Sequence, residues 1–328
     1  MTSEAELVRA IQKVLSGDAP GVAVPVGDDA AVVDPGGHHA VLTVDTLVEG
    51  VHFDPSVTQP ADLGHKAISV NVSDIAAMGA SPRHALVSLA LPKDTRPAWV
   101  MELIGGMREA ADDYGVSIVG GDTVAAGSVV VTVTVIGRVA KGRAVTRSGA
   151  RPGDRIVVTG ELGAAAGAVR LLQGPTDQLR RSLGTDWERE VMEALNRPVA
   201  RVGEGETLAQ AGASAMIDIS DGLALDLSRL CDASGVGARV ELARIPVAPV
   251  LKHLGDALEP LDLGLHGGED YELLATLAPQ AVEAVRKKLD DRFGTALTEV
   301  GEITETGLVA VGEGGERPLE PKGWDHFA

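Results

Sequence analysis

The sequence predicts a two-domain protein in which each half combines strands and helices. Its 328 residues exceed what one ordinary core supports, and the expectation is two domains of roughly 150 residues each. Strand and helix patterns alternate through the first half. Near the middle, Ser148-Gly149-Ala150-Arg151-Pro152-Gly153-Asp154 gathers turn residues just before a fresh strand pattern. The boundary is placed there, giving domains over residues 1–148 and 149–328.

Residues 4–16 set Leu7, Ile11, Val14 and Leu15 on one side of an amphipathic helix. Short strands over 30–34 and 40–45 flank Pro35-Gly36-Gly37, a turn signal. After Pro60, residues 61–78 repeat Leu63, Ala67, Val70 and Ile75 at helical spacing, and Gly79 stops the helix. An apolar strand over 85–91 leads to a helix over 96–114. A strand over 116–119 then runs into Gly120-Gly121-Asp122, and residues 129–139, almost wholly β-branched, form the clearest strand. The second half gives a strand over 155–159, a helix over 162–172, a polar connection over 174–186 and a helix over 199–211. A strand over 214–219 runs into a helix over 221–233, and strands follow near 238–242, 271–277, 296–303 and 307–311.

Composition narrows the function. Hydrophobic residues make up 45% but aromatics only 2%, so the core is built from Val, Ala, Leu and Ile. The formal net charge of −18 repels nucleic acid and anionic membranes, so an anionic substrate needs cations as intermediaries. The single cysteine, Cys231, excludes an intrachain disulfide and a cysteine-rich zinc site; its helical spacing makes it a core residue. No window approaches the ~18 apolar residues of a membrane helix, and the N-terminal residues lack a secretory pattern. A cytoplasmic location is expected.

Aspartates recur beside glycines and at the ends of apolar runs: Gly27-Asp28-Asp29, Val44-Asp45-Thr46, Ser73-Asp74, Gly120-Gly121-Asp122 and Asp218-Ile219-Ser220-Asp221-Gly222. A β-branched run ending in a carboxylate delivers an oxygen ligand from a rigid element, and glycine beside it lets a phosphate approach. One such Asp alone reads as a cap or turn residue. The set, without cysteine or clustered histidine, points to a hard cation such as Mg²⁺, which bridges carboxylates to substrate phosphates. Asp74 falls near a helix C-terminus, where a bound cation would relieve an unfavourable macrodipole. There is no P-loop and no dinucleotide fingerprint, and Gly160–Gly167 reads as close helix packing.

These clusters, together with Asp45-Thr46-Leu47-Val48-Glu49-Gly50-Val51-His52-Phe53, Asn71-Val72-Ser73-Asp74-Ile75-Ala76-Ala77-Met78-Gly79-Ala80, Thr146-Arg147-Ser148-Gly149-Ala150 and Gly267-Gly268-Glu269-Asp270-Tyr271-Glu272-Leu273, closely resemble the thiamine-monophosphate kinase family. The resemblance runs from about Gly27 to the terminal Trp324-Asp325-His326-Phe327. It implies the fold of aminoimidazole ribonucleotide synthetase: an N-terminal α/β domain whose sheet forms a homodimer interface, and a C-terminal α+β domain. It implies ATP-dependent phosphorylation of thiamine monophosphate to thiamine diphosphate, with several Mg²⁺ ions and no phosphorylated enzyme nucleophile.

Carried over motif by motif, the resemblance makes Asp29, Asp45, Asp74, Asp122, Asp218 and Asp221 Mg²⁺ ligands, with Thr43 and the backbone carbonyl of Val44 adding oxygens. Asp28 would act through water or from behind a ligand. Tyr114, Gly121, Asp122, Arg147 and Ser220 would contact ATP, Arg147 through a guanidinium fork suited to phosphate oxygens. His52, Glu269 and Trp324 would contact thiamine monophosphate, Trp324 by stacking, and Glu269 by offsetting thiazolium charge or accepting a pyrimidine donor. The alternatives are another ATP-using enzyme of this fold or a non-catalytic metal-binding protein. The lack of an N-terminal cysteine disfavours selenophosphate synthesis, and the lack of a terminal cysteine disfavours the hydrogenase-maturation relatives.

Overall fold

The protein is described by a computed structural model covering residues 22–24, 28, 30–173, 185–251 and 259–324. The expected helix over 4–16, the expected ligand Asp29, most of the 174–186 connection and the tail after Trp324 lie outside the described residues.

The N-terminal sheet contains β1 (Val22–Val24), β2 (Ala31–Gly36), β3 (His38–Val48), β4 (Ser81–Leu91), β5 (Ser117–Ala125) and β6 (Val130–Val139), in the order β1-β2-β3-β6-β4-β5. β6 pairs antiparallel with β3 and β4, and β4 pairs in parallel with β5. Parallel pairing needs a crossover, which α2 (Pro97–Tyr114) supplies. Alternation decides the faces: Val131, Val133 and Val135 of β6 and Ala85, Val87 and Leu89 of β4 are buried under α1 (Pro60–Ala77). The opposite face is open and carries Val44, Leu86 and Val124 among its exposed residues.

α1 is buried nearly all round because it also meets the second half of the chain, through β8 (Ala215–Ile219) and α5 (Val202–Gln210). Burial on every side explains why its polar residues, His65, Lys66, Ser69, Asn71 and Ser73, are enclosed as well. Against α2 it packs without side chains between the backbones. A Cβ on Gly64 would lie 2.0 Å from the Leu103 carbonyl oxygen, and one on Gly106 would lie 1.8 Å from that of Ala61. Gly64→Ala is therefore expected to cost about 1–3 kcal/mol of stability, read as a lower urea midpoint at unchanged slope.

The C-terminal sheet is ordered β13-β12-β9-β11-β7-β10-β8, with β7 (Arg155–Thr159), β9 (Gly237–Glu241), β10 (Glu272–Leu277), β11 (Leu297–Thr304), β12 (Leu308–Gly312) and β13 (Gly315–Pro318). Both faces are covered. Ile156, Val158 and Ile217 face α6 (Leu223–Ser234). Val157 and Met216 face α8 (Pro279–Phe293), α5 and the end of α1. Cys231 lies in the core on the α6 side, 2% exposed, its thiol pushed up to about 12 by burial and then by the Asp232 charge. Gly163, at the start of α3 (Ala164–Gln173), packs against the backbone of Gly264 in α7 (Pro260–His266), the close approach expected for that glycine run.

Several elements depart from the sequence expectation. Gly120-Gly121-Asp122 lies inside β5 rather than beyond a strand end. Residues 185–196 form α4 (Thr185–Asn196), buried through Trp187, Val191 and Leu195, which starts at the end of the expected 174–186 connection and fills a stretch to which no element is assigned. α8 fills a stretch to which no element was assigned. Among the described residues no helix is long and apolar enough to cross a membrane.

Candidate active site

The site is assembled at the junction of the two sheets by the last turns of α1. Residues 71 and 74 are one turn apart and both meet β3: Asn71 Oδ1 accepts the Asp45 backbone N–H at 2.9 Å, and Asp74 Oδ2 accepts the Thr43 hydroxyl at 2.5 Å. Asn71 is itself oriented by donating its side-chain amide to the Ala67 carbonyl. Ser73 turns toward the second domain and donates to Asp218 Oδ2 at 2.7 Å. One helix segment thus fixes acidic groups from two sheets. Asp74 lies in the last turn, where the helix dipole disfavours an anion.

Asp218 is the last residue but one of β8, and the chain turns through Ser220 and Asp221 into α6. Buried Asp226 holds this turn, accepting the Ser220 and Asp221 backbone N–H groups at 3.1 and 3.0 Å. Arg229 closes the arrangement, bonding Asp221 Oδ2 at 2.5 Å and Asp226 Oδ1 at 2.7 Å. Burial, and next the Asp221 charge, raise the Asp226 carboxyl to about 7 against the pull of Arg229. Gly222 has φ 115° and its missing Cβ would meet the His266 carbonyl carbon at 2.9 Å, so this turn requires glycine.

The Gly267–Tyr271 loop crosses over that turn. Glu269 donates its backbone N–H to Ser220 O at 2.8 Å, and Tyr271 donates to Ile219 O at 2.9 Å. Both residues adopt positive φ, 75° and 52°, a conformation that costs a non-glycine residue about 1–3 kcal/mol and is concentrated at functional sites. The Tyr271 phenol is pushed well up, first by burial and then by the charges of Glu269, Asp45, Asp218 and Asp221. Those carboxylates therefore share one electrostatic neighbourhood.

A cleft of about 1320 Å³ runs over these groups. Of the expected metal-binding residues, Thr43, Val44, Asp45, Asp74, Asp218 and Asp221 line it. Arg147 and Ser220 line it from the expected ATP set, and His52, Glu269 and Trp324 from the expected substrate set. Asp28 accepts the Arg147 backbone N–H, while Ser234 donates to the Arg147 carbonyl, so the arginine's backbone is held from both sides. His52 accepts the Val48 N–H at Nδ1, which assigns the proton of a neutral ring to Nε2.

Tyr114, Gly121 and Asp122 are not brought to this cleft within one chain. The Tyr114 hydroxyl is spent on Ser69 and the Ala200 N–H, at 3.2 and 2.9 Å, and burial raises its pKa. Gly121 and Asp122 pair with Val87 and Ser88 on the far edge of the first sheet. Along the row Asp45, Val133, Val87, Gly121 this is three strand spacings, on the order of 14 Å. Gly121 also has a backbone reason to be glycine, since a Cβ would sit 1.8 Å from the Val87 carbonyl oxygen.

Sequence reasoning missed Lys66, Asp226, Arg229 and Asp270. Arg229 lines the cleft; Asp270 accepts the Gly163 N–H and ties α3 to the loop, with burial raising its carboxyl well above the ordinary range. Helical spacing alone makes Asp226 and Arg229 a facing i, i+3 pair, a signal available in the sequence.

The donor set is all oxygen and acidic. Among the described residues no three acidic or imidazole side chains make a ready metal cage. An all-oxygen, acidic donor set fits Mg²⁺, which keeps water and is held by one or two carboxylates plus substrate phosphates.

Two family models match the chain: AIR synthase related protein, N-terminal domain, over residues 27–139, and its C-terminal domain over residues 151–313. The thiamine-monophosphate kinase of Bacillus subtilis (strain 168) is 37% identical over 311 residues, 93% of this chain and 94% of that protein. The Escherichia coli (strain K12) thiamine-monophosphate kinase is 38% identical over 313 residues, 94% and 93%. A solved structure described as AaThiL complexed with AMPPCP and TMP superposes with a TM-score of 0.86 at 33% identity, covering 99% of this chain and 97% of that one. The Stenotrophomonas maltophilia K279a enzyme gives 0.78 at 36% identity, over 94% and 95% of the two chains. The chain, built of two AIR synthase related domains, belongs to the thiamine-monophosphate kinase family.

Proposed function

We propose that the protein transfers the γ-phosphoryl group of ATP to thiamine monophosphate, giving thiamine diphosphate and ADP. The observation that carries this is one cleft in which Asp45, Asp74 and Asp218 stand with Arg147 beside His52, Glu269 and Trp324. Relatives named for this reaction and a fold match to a complex with AMPPCP and TMP support it.

An oxygen of the substrate's own phosphate attacks the γ-phosphorus; that P–O bond forms as the bond to the ADP oxygen breaks. No side-chain nucleophile takes part. No strong base is needed either, because a phosphate monoester with a second pKa of about 6 is already largely ionised at neutral pH. The obstacle is repulsion between two anions, and Mg²⁺, when bound, supplies the charge that offsets it. Several such ions would be shared among Asp45, Asp74, Asp218 and Asp221, with Asp29, Thr43 and the Val44 carbonyl as further oxygens. Arg147 pairs with ATP phosphate, and Ser220 adds an ATP contact. The cost of pointing carboxylates at anionic reactants is thereby removed.

We further propose a homodimer formed through the open face of the first sheet. Val44, Leu86 and Val124 are exposed there, and among the described residues β5 is the edge strand of the sheet beside them. Val44 and Thr46 line both the open face and the cleft, so a second copy laid against this face has its β5 available to the cleft of the first. Gly121 and Asp122 then serve the partner's site, which reconciles their family role with their distance from Asp45. The boundary between the domains is placed at residues 148 and 149, in the gap between the two family matches, and the reaction in the cytoplasm.

Arg147→Ala is expected to raise the KM for ATP by about tenfold or more while the KM for thiamine monophosphate changes little, because it removes one charged bidentate contact. Steady-state kinetics with each substrate varied in turn checks it. The function itself is tested by offering thiamine monophosphate, free thiamine and selenide in an ADP-release assay. ADP release with thiamine monophosphate is expected; release with selenide alone would assign the chain to another reaction, and Mg²⁺ binding without ATP consumption would make it a binding protein.

A further inference from the structure

An ion pair joins the two domains behind the substrate end of the cleft. Lys66 lies in the middle of α1 and is 1% exposed. Its ammonium is set against Oε2 of Glu269, the one acidic group paired with it among the described residues. That oxygen is buried and takes no aligned hydrogen bond, so charge is what holds it. An enclosed ammonium without a partner carries a desolvation penalty of several kcal/mol, and a lysine here therefore requires its carboxylate. The carboxylate is in turn delivered by the positive-φ turn at Glu269, whose N–H is anchored on Ser220 O. Glu269 keeps partial exposure, 24%, and lines the cleft.

We propose that Lys66 is a positioning residue for substrate recognition: it fixes the Glu269 carboxylate and cancels its charge, so that Glu269 acts on the substrate as a hydrogen-bond acceptor. The chemistry selected is a heteroaromatic ring bearing an N–H donor, rather than a cation as such. A free carboxylate would attract any cation in the cleft and would swing between rotamers. Pinned at one oxygen by a buried ammonium, it offers the remaining oxygen in one direction. The inference rests on the reaction proposed above and decides between the two roles open to Glu269.

The test is steady-state kinetics of the full-length protein and the variants Lys66→Met, Glu269→Gln and Lys66→Met/Glu269→Gln. The acceptors are thiamine monophosphate and its analogue with oxygen in place of the pyrimidine amino group. Lys66→Met keeps the volume and leaves Glu269 able to meet water, so it is expected to fold. Its KM for thiamine monophosphate should rise about tenfold with KM for ATP within about twofold, and its preference over the oxo analogue should shrink. Because Lys66 acts through Glu269, the double variant should match Glu269→Gln within about twofold. It also covers the case in which Glu269→Gln, leaving Lys66 unpaired, fails to fold. An unchanged KM for thiamine monophosphate in Lys66→Met, an equal rise for both substrates, or independent effects in the double variant would each overturn the inference. Absence of any thiamine diphosphate formation by the unsubstituted protein would instead overturn the proposed reaction, and this inference with it.

Discussion

Asp45→Asn is expected to lower kcat for thiamine diphosphate formation by about a hundredfold to a thousandfold, the range typical of losing one electrostatic contact to a transition state. Stability should scarcely change. Asp45 is exposed in the cleft, and its backbone N–H to Asn71, which helps to fix its place in β3, is left intact by the substitution. Asparagine keeps the shape and removes the charge, so Tm should move by no more than about 2 °C. A matched loss of Tm and activity would mean that the carboxylate serves the fold. Asp218 makes a poorer test, because it is 3% exposed and accepts the Ser73 hydroxyl, so its replacement mixes both effects.

The second large effect is expected in mixed dimers. Asp45→Asn and Asp122→Asn homodimers should each be nearly inactive. If Asp122 serves the partner's cleft, a mixed dimer has one site carrying both substitutions and one carrying neither. Random reassociation of equal amounts makes half the dimers mixed, so activity should recover to about a quarter of the unsubstituted level. If Asp122 served the cleft of its own chain, every site would carry a substitution and no activity would return. The expectation follows from strand order: β6 and β4 separate β3 from β5 in one chain, and no side-chain rotation spans that distance.

Much of the cleft was legible because the residues that build it are short-range signals. Asp45 and Asp218 each lie in or at the end of a β-branched or apolar strand, and Ser73 and Asp74 sit at the end of a helix marked by Pro60 and Gly79. β6 was legible from its alternation, although alternation cannot say which face stays open. What was not legible depends on strand order and on burial from two sides. Gly120 and Gly121 weaken a strand pattern, so β5 was cut short, and its edge position is set by pairing with β4 far away in sequence. Lys66 reads as a solvent-facing helix position until a second domain covers α1. α8 shows only a thin stripe, Val282, Val285 and Leu289, in a charged segment, and α4 has Trp187, Val191 and Leu195 in a similar setting.

The claim on which all of this depends is direct phosphoryl transfer between two anionic ligands held in this cleft. Following a mixture of the purified protein, MgATP and thiamine monophosphate by phosphorus NMR tests it most directly. One thiamine diphosphate and one ADP should appear for each ATP consumed, without inorganic phosphate. ATP left unconsumed, or ADP and inorganic phosphate formed while thiamine monophosphate stays unchanged, would contradict it.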